Sequence, residues 1–276
     1  MRSRTTNALF VALLLACAQQ SAPAQSGKKA LIPPDPAADA QFRAAGFLES
    51  HPDIRYRLLG LEEFRNNNHA DALRFFKRAS FYADKPSQGM VAEMYWSGQG
   101  VEKDPVIAYA WMDLAAERGY EGFRGLRERY WKSLSAEERQ QALVQGEAIY
   151  ATYGDAAAKP RLATVLRRER KKVTGSRTGF AGSLKIYVPG PSGSEQIDGS
   201  KFYDERFWDV EKYYTWHDSI WMKPRIGKVS VGNIDQVDAA SPAPASRIPA
   251  TAPNTSAPEP ETPTRDETEL GTREQD

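Results

Sequence analysis

The chain has 276 residues, a single cysteine, and 37 Lys and Arg against 36 Asp and Glu, which gives a formal net charge of +1. This length accommodates one or two domains. One cysteine excludes an internal disulfide and a cysteine-based zinc site, so apolar burial must stabilise the fold. The near-neutral charge gives no electrostatic reason to expect nucleic-acid binding.

Residues 1–25 have the pattern of a secretory signal peptide. Arg2 and Arg4 form a basic start, and the apolar run 8–16 is too short to cross a bilayer as a helix. Two processing routes fit. The run that ends at Cys17 resembles a bacterial lipobox, which would attach lipid to Cys17, whereas cleavage after Ala24 would release a soluble protein. Either route predicts an exported, periplasmic protein, and the first also predicts an anchor in the outer membrane.

The Pro- and Ala-rich residues 26–52 predict a linker, and residues 54–84 after it predict a pair of amphipathic helices. The first helix of the pair places Leu58, Leu61 and Phe64 on one face. A run of three asparagines forms the turn, with Asn68 as N-cap of the second helix. The buried face of that second helix is predicted to contain Ala72, Phe75, Phe76, Ala79 and Ala83.

The clearest pattern covers residues 86–120. Its first helix ends at Gly98 and Gly100, which tolerate positive φ. Its second helix starts with Asp104 as N-cap and Pro105 in the first turn. The predicted buried stripe of that helix consists of Ala108, Trp111, Met112 and Ala115. Since one hairpin cannot bury such a stripe alone, we expect neighbouring hairpins on both sides.

A third helical pair is predicted at 121–154, with a capping box at 135–138 that opens its second helix. Its polar character suits a terminal hairpin that faces water on its outer side.

The spacing Ala92-x-x-Tyr95-x-x-Gly98-x-Gly100-Val101-x-x-Asp104-x-x-x-Ala108-x-x-Trp111-x-x-x-Ala115-Ala116-x-x-Gly119 is similar to the Sel-one-like repeat, a relative of the tetratricopeptide repeat. The resemblance is specific here, degenerate over 54–84 and weak over 121–154. It departs from the family pattern at Ala92, where glycine is common, and residues 54–84 lack the G-x-G-V loop. It implies a right-handed helical solenoid that binds protein partners without catalysis, and secreted bacterial members resemble adaptors of envelope or secretion assemblies.

The composition changes after residue 155. A basic helix is predicted at 159–172, either as a solvated helix end or as a surface for anionic lipid or an acidic partner. Strands are predicted at 184–188 and 228–231, with an aromatic block at 202–221 between them. That block could be an exposed binding surface, or it could cover the open end of the solenoid. The Pro-rich, acidic tail predicts disorder.

The sequence offers little for catalysis. His51, His69 and His217 are far apart, and none has metal-ligand spacing. Only His217 and Asp218 resemble a base with an orienting carboxylate, and no nucleophile signature accompanies them. The acids of the aromatic block lack the glycine and alternation of a calcium loop; they are Asp204, Glu205, Asp209 and Glu211. We therefore predict no enzymatic activity, no cofactor and no metal.

The predicted fold is mainly α, a short right-handed solenoid of two to three hairpins with a small aromatic extension that contains a short β element. The predicted parts are a signal peptide at 1–25, a linker at 26–52, helical repeats at 53–154, an extension at 155–238 and a disordered tail at 239–276. The predicted function is a protein-interaction scaffold or adaptor of the bacterial envelope; the alternative is an envelope enzyme or glycan-binding protein that uses the aromatic segment. The candidate partner-binding residues are Glu62, Arg65, Glu93, Trp96, Arg127 and Trp131.

Overall fold

The structure is a computed structural model that describes residues 36–174, 184–190, 193–222 and 246–263. The predicted signal peptide, the candidate lipidation site Cys17 and the strand predicted at 228–231 lie outside the described residues.

Within the described residues 36–174, nine α-helices follow one another. They are α1 (Ala40–Ala44), α2 (Phe47–Ser50), α3 (Pro52–Arg65), α4 (His69–Ser80), α5 (Lys85–Ser97), α6 (Pro105–Ala115), α7 (Glu121–Ser133), α8 (Ala136–Tyr153) and α9 (Asp155–Thr174), with a 3₁₀ turn, Ala116–Arg118, after α6. This order confirms the mainly α fold predicted from apolar periodicity.

Side-chain caps determine where several helices begin. Asp104 accepts a hydrogen bond from the backbone N–H of Ile107 at the start of α6, and Ser135 and Glu138 form a capping box on α8, both as predicted. Asp84 caps α5 by accepting a hydrogen bond from the backbone N–H of Ser87, and this cap was not predicted from the sequence. Asn68 precedes α4, but its amide donates to Glu63 and does not cap the helix.

The helices pack in chain order, so that each buries the apolar face that its neighbour exposes. Helix α3 packs on α4, α4 on α5 and α5 on α6, after which both α7 and α8 pack mainly against α6. Of the predicted stripe in α6, Trp111 is 3% exposed and the other members are fully buried. Gly60 permits the close approach of α3 to α4, because a Cβ there would lie 2.7 Å from the ring of Phe76.

After α9, the described residues up to 222 form a two-stranded antiparallel sheet and three helices. Strand β1 (Lys185–Gly190) pairs with β2 (Gly193–Asp198), and Val188 and Ile197 are its buried side chains. Strand β1 corresponds to the strand predicted at 184–188, whereas β2 was not predicted. The helices that follow are α10 (Gly199–Phe202), α11 (Glu205–Trp208) and α12 (Val210–Trp221).

The aromatic block forms a second core with the first helices of the chain. Phe47 of α2 contacts the rings of Phe202, Phe207 and Trp208, and each pair of rings is nearly perpendicular. Trp208 donates its indole N–H to the carbonyl of Phe202 over 2.6 Å. Most of this block is buried against α2, α3, α4 and α9, as expected for a cover over the first hairpin.

The tail differs from the expectation of disorder over part of its length. Residues 246–263 run without helix or strand along the helices and make specific contacts with them. Asn254 donates its backbone N–H to the carbonyl of Ala151, and Glu259 pairs with Arg78. The expectation is therefore corrected for 246–263, while 239–245 and 264–276 lie outside the described residues.

Candidate functional site

The first helices of the three pairs line an apolar groove together with α12. Its volume is about 460 Å³. Helix α3 contributes Leu58 and Leu61, and α5 contributes Met90. Helix α7 adds Phe123 and Leu126, and the C-terminal half of α12 adds Trp216, His217, Ile220 and Trp221. A groove of this size and composition is suited to large apolar side chains of a bound ligand.

Packing between the helices leaves these apolar side chains partly uncovered. Leu58 is 37% exposed, one of the few large apolar residues of the described chain that reach this level. Gly89 of α5 lets the Phe123 ring lie close to the helix, because a Cβ at position 89 would be 2.7 Å from that ring. The ring of Phe123 in turn stacks on Trp221 at 6.2 Å between centroids. The groove thus joins the repeats to the extension.

Three polar side chains lie among the apolar ones in the lining, those of Arg57, Glu93 and His217. Arg57 forms an ion pair of 2.5 Å with Asp84, so the cation at the edge of the groove is held in place by the residue that caps α5. His217 is buried, and none of the described residues gives its Nε2 atom a hydrogen-bond partner. Burial, and then the positive charge of Arg57, holds the pKa of His217 well below its usual range. The imidazole is therefore neutral, and its Nε2 atom is buried beneath the lining.

A buried hydrogen bond fixes α12 against α3. The hydroxyl of Tyr213 donates to Asp53 Oδ2 over 2.6 Å, although the two residues are far apart in the chain. Both side chains are fully enclosed. Burial and the nearby charge of Asp84 raise the pKa of Asp53 to about 7, against the hydrogen bond from Tyr213. Because α12 forms one wall of the groove, this contact helps to define the groove's width.

Only one of the six candidate partner-binding residues lines the groove. Glu93 does, and its side chain is half-buried. Glu62 and Arg65 are exposed on α3, one turn beyond Leu58 and Leu61 respectively. They therefore stand next to the groove and outside its lining.

The two candidate tryptophans pack within the protein. Trp96 stacks on Tyr130 of the third helical pair, with 4.0 Å between ring centroids and an interplanar angle of 8°. Trp131 is half-buried against Tyr109, with the guanidinium of Arg139 at 5.2 Å and that of Arg247 at 4.8 Å from its ring.

Arg127 is a correction to the predicted surface. Its side chain is fully buried, and one terminal nitrogen lies 3.4 Å from Asp113 Oδ1 in the interior of α6. Asp113 is also fully buried, so Arg127 supplies the cation that this carboxylate needs. The apolar pattern of α7 gives no sign that Arg127 is buried. The sign lies in α6, where Asp113 is an acid within an otherwise apolar helix.

The structure does not arrange His217 and Asp218 as a catalytic pair. Asp218 instead accepts a hydrogen bond from the hydroxyl of Tyr120 and lies 3.8 Å from Arg118. The acids of the aromatic block have structural contacts: Asp204 and Asp209 cap α11 and α12, and Glu205 pairs with Lys212. Within the part of the chain that the structure describes, no cluster of His, Cys, Asp and Glu could hold a metal ion.

Among the described helices, none combines the length and apolar composition that crossing a bilayer requires.

Comparison with known protein families identifies the central hairpin. The family model for the Sel1 repeat matches residues 86–120, which comprise α5, α6 and the turn after them. The chain contains a Sel1 repeat. The match confirms the resemblance seen in the glycine and alanine spacing, and Sel1 repeats generally mediate protein–protein interactions. No curated protein and no solved structure matches the chain.

Proposed function

We propose that this protein is a non-catalytic interaction scaffold that binds a protein partner in the groove between α3, α5, α7 and α12. The observation that carries the proposal is the groove itself. One wall, α5, belongs to the Sel1 repeat, and the lining leaves Leu58, Met90 and Phe123 partly exposed to a ligand. Apolar surface of this kind favours binding when a partner removes it from water.

The lining specifies the chemistry of the partner segment. The groove is mostly apolar, so the segment would insert large aliphatic or aromatic side chains. Glu62 and Arg65 are proposed as charged contacts beside the groove, which would orient the segment and add little to its affinity.

The location belongs to the same proposal. The basic start and apolar run of residues 1–25 support export, and Cys17 supports an anchor in the outer membrane. The scaffold would then serve an assembly of the bacterial envelope. Cys17→Ser should leave an unprocessed precursor without acyl label if the protein is a lipoprotein, whereas normal maturation would favour cleavage after Ala24.

Site-specific photocrosslinking tests the groove. A photoreactive amino acid at Leu58 should form one discrete crosslinked product, which mass spectrometry identifies. Met90→Lys places a charge in the groove and should weaken binding of the identified, purified partner by about tenfold or more. The matched control is Val144→Lys, since Val144 is 60% exposed on α8 and is not part of the lining. Equal binding by the two lysine variants would contradict the proposal.

Muropeptide binding by groove variants tests the alternative function. Trp216 and Trp221 line the groove, so a glycan could stack there. If muropeptides bind the purified protein, and binding is lost in Trp221→Ala but kept in Met90→Lys, the glycan-binding alternative replaces the scaffold.

A further inference from the structure

The segment 246–263 crosses the surface of α6, α7 and α8 through contacts that depend on its sequence. The hydroxyl of Ser246 donates to Asp113 Oδ2 over 2.5 Å. Two nitrogens of Arg247 donate to the two carboxylate oxygens of Glu128, over 2.9 and 2.6 Å. Ile248, the next residue, is only 5% exposed. Three consecutive side chains are thus each held by a different part of the surface.

The contact of Arg247 has the geometry of specific arginine recognition. A guanidinium that meets a carboxylate through two parallel hydrogen bonds fixes both the position and the orientation of the side chain. Here the guanidinium also lies over the indole of Trp131, 4.8 Å from the ring centroid. A lysine at position 247 could make neither the paired hydrogen bonds nor the planar stacking.

Gly146 of α8 provides the pocket for Ile248. A Cβ built at position 146 would overlap Ile248 Cδ1 and lie 2.9 Å from its Cγ1. Gly146 is a buried glycine in the middle of an eighteen-residue helix, where alanine would favour the helix. The absence of a side chain is thus explained by the isoleucine that fills the space.

Asp113 is the buried acid that receives the segment. Its Oδ2 accepts hydrogen bonds from the hydroxyls of Tyr150, over 2.9 Å, and Ser246. Its Oδ1 faces Arg127. The carboxylate therefore keeps a cation and two tyrosine hydroxyls, those of Tyr109 and Tyr150, from the helices themselves. It gains two further donors from the segment, the Ser246 hydroxyl and the Arg247 backbone N–H. The helices do not need Ser246 in order to satisfy the charge of Asp113.

Ser246, Arg247 and Ile248 belong to neither hydrophobic core, although Ala257 further along the segment packs against the core of the aromatic block. The core around the Sel1 repeat is built from α4 to α8 and contains no residue of 246–263. Residues 223–245 separate α12 from Ser246, and this length is enough chain for the segment to leave the surface and return.

We propose that Asp113, Glu128, Trp131 and Gly146 form a second peptide-binding site, apart from the groove, whose ligand is the chain's own segment Ser246–Ile248. The ligand is an extended serine-arginine-isoleucine peptide that binds the folded helices reversibly. Because it is tethered, its effective concentration at the site is high, so the site is filled in the intact chain and closed to free peptide.

The test uses the full-length chain with the tethered ligand disabled. Arg247→Glu with Ile248→Asp replaces an attraction to Glu128 by a repulsion and places a charge over the apolar pocket, so the site is vacated. A fluorescein-labelled peptide of residues 244–263 is then titrated, with fluorescence anisotropy as the readout. The vacated chain should bind this peptide, and the wild-type chain should bind it about tenfold or more weakly because its own segment competes.

Two controls decide specificity. A peptide with Arg247→Lys and Ile248→Ala should bind the vacated chain about tenfold or more weakly. Adding Gly146→Val to the vacated chain should abolish binding of the unaltered peptide. The proposal is overturned if the vacated chain, shown by circular dichroism and cooperative unfolding to be folded, binds neither peptide or both equally. It is also overturned if the vacated chain does not fold, because the segment would then belong to the core.

Discussion

Asp53 is the residue whose replacement gives the most informative stability measurement. Its carboxyl is buried where α12 meets α3, and it accepts a hydrogen bond from the hydroxyl of Tyr213. Burial and the charge of Asp84 raise its pKa from 3.8 to about 7. Asn has the same shape as a protonated Asp, and its carbonyl can still accept from Tyr213. Asp53→Asn therefore removes the ionisation and keeps the contact.

The sign and size of the effect follow from linkage. The native state holds the Asp53 proton more tightly than the unfolded chain, so between pH 4 and pH 7 the native state binds more protons. The free energy of unfolding of the wild type should accordingly lose a contribution from Asp53 as pH rises through this range. A shift of about three pKa units corresponds to about 4 kcal/mol. Asp53→Asn should be close to the wild type at pH 4 and about 3 kcal/mol more stable at pH 8, after allowance for a weaker hydrogen bond from Tyr213.

Urea unfolding at several pH values between 4 and 8 measures this difference. The histidines act in the opposite direction, since burial lowers the pKa of His51 to about 4 and that of His217 well below its usual value. Because the native state favours their neutral forms, the histidines raise the free energy of unfolding as pH rises. The pH dependence of the wild type therefore combines their contribution with that of Asp53. Subtracting the free energy of unfolding of Asp53→Asn from that of the wild type at each pH leaves the contribution of Asp53. The exposed Glu147→Gln is the control and should run parallel to the wild type. Parallel curves for Asp53→Asn and the wild type would refute the reasoning.

Two further predictions concern the repeats. Gly100→Ala should lower the free energy of unfolding by more than about 2 kcal/mol, because φ is +73° and the new Cβ would lie within 2.5 Å of the His69 carbonyl oxygen. Gly119→Ala is its control, with φ +77° but no neighbour within 4 Å, and should cost about 1 kcal/mol in the same urea titration. Arg127→Met should cost about 3–5 kcal/mol at pH 7, because it leaves Asp113 buried without its cation. A loss below about 1 kcal/mol would show that Arg127 does not stabilise the native state through Asp113.

The central hairpin was predictable because its signals are local. Asp104 and Pro105 mark the start of α6, and Gly98 and Gly100 mark the loop before it, all within a few residues of what they determine. Such contacts need no knowledge of the rest of the chain, and the Sel1 match to 86–120 agrees with them.

The groove was harder to predict because helical periodicity does not say what covers an apolar face. Leu58 and Leu61 were assigned to the packing face of α3, and the structure leaves them at the groove. The adjacent leucines Leu58 and Leu59 were a signal that the apolar surface of α3 is wider than one packing stripe. The position of α12 depends on the hydrogen bond between Tyr213 and Asp53. These residues are far apart in the sequence, so the sequence alone does not show that they are in contact.

The tail shows the limit of composition as a guide. Few apolar residues and many prolines predict that 239–276 cannot form a core of its own. That reasoning does not exclude docking on a surface that other residues have already built. Ser246, Arg247 and Ile248 do this with three side chains, a number too small to change the composition of the segment.

The most direct test of the scaffold is crosslinking from two positions in the same cells. A photoreactive residue at Leu58, in the groove, should give a discrete product with one partner, and Met90→Lys in the same chain should remove it. The same residue at Val144, exposed on α8, should not give that product. A product that forms from Val144, or that survives Met90→Lys at Leu58, would contradict the claim that this protein binds its partner in the groove.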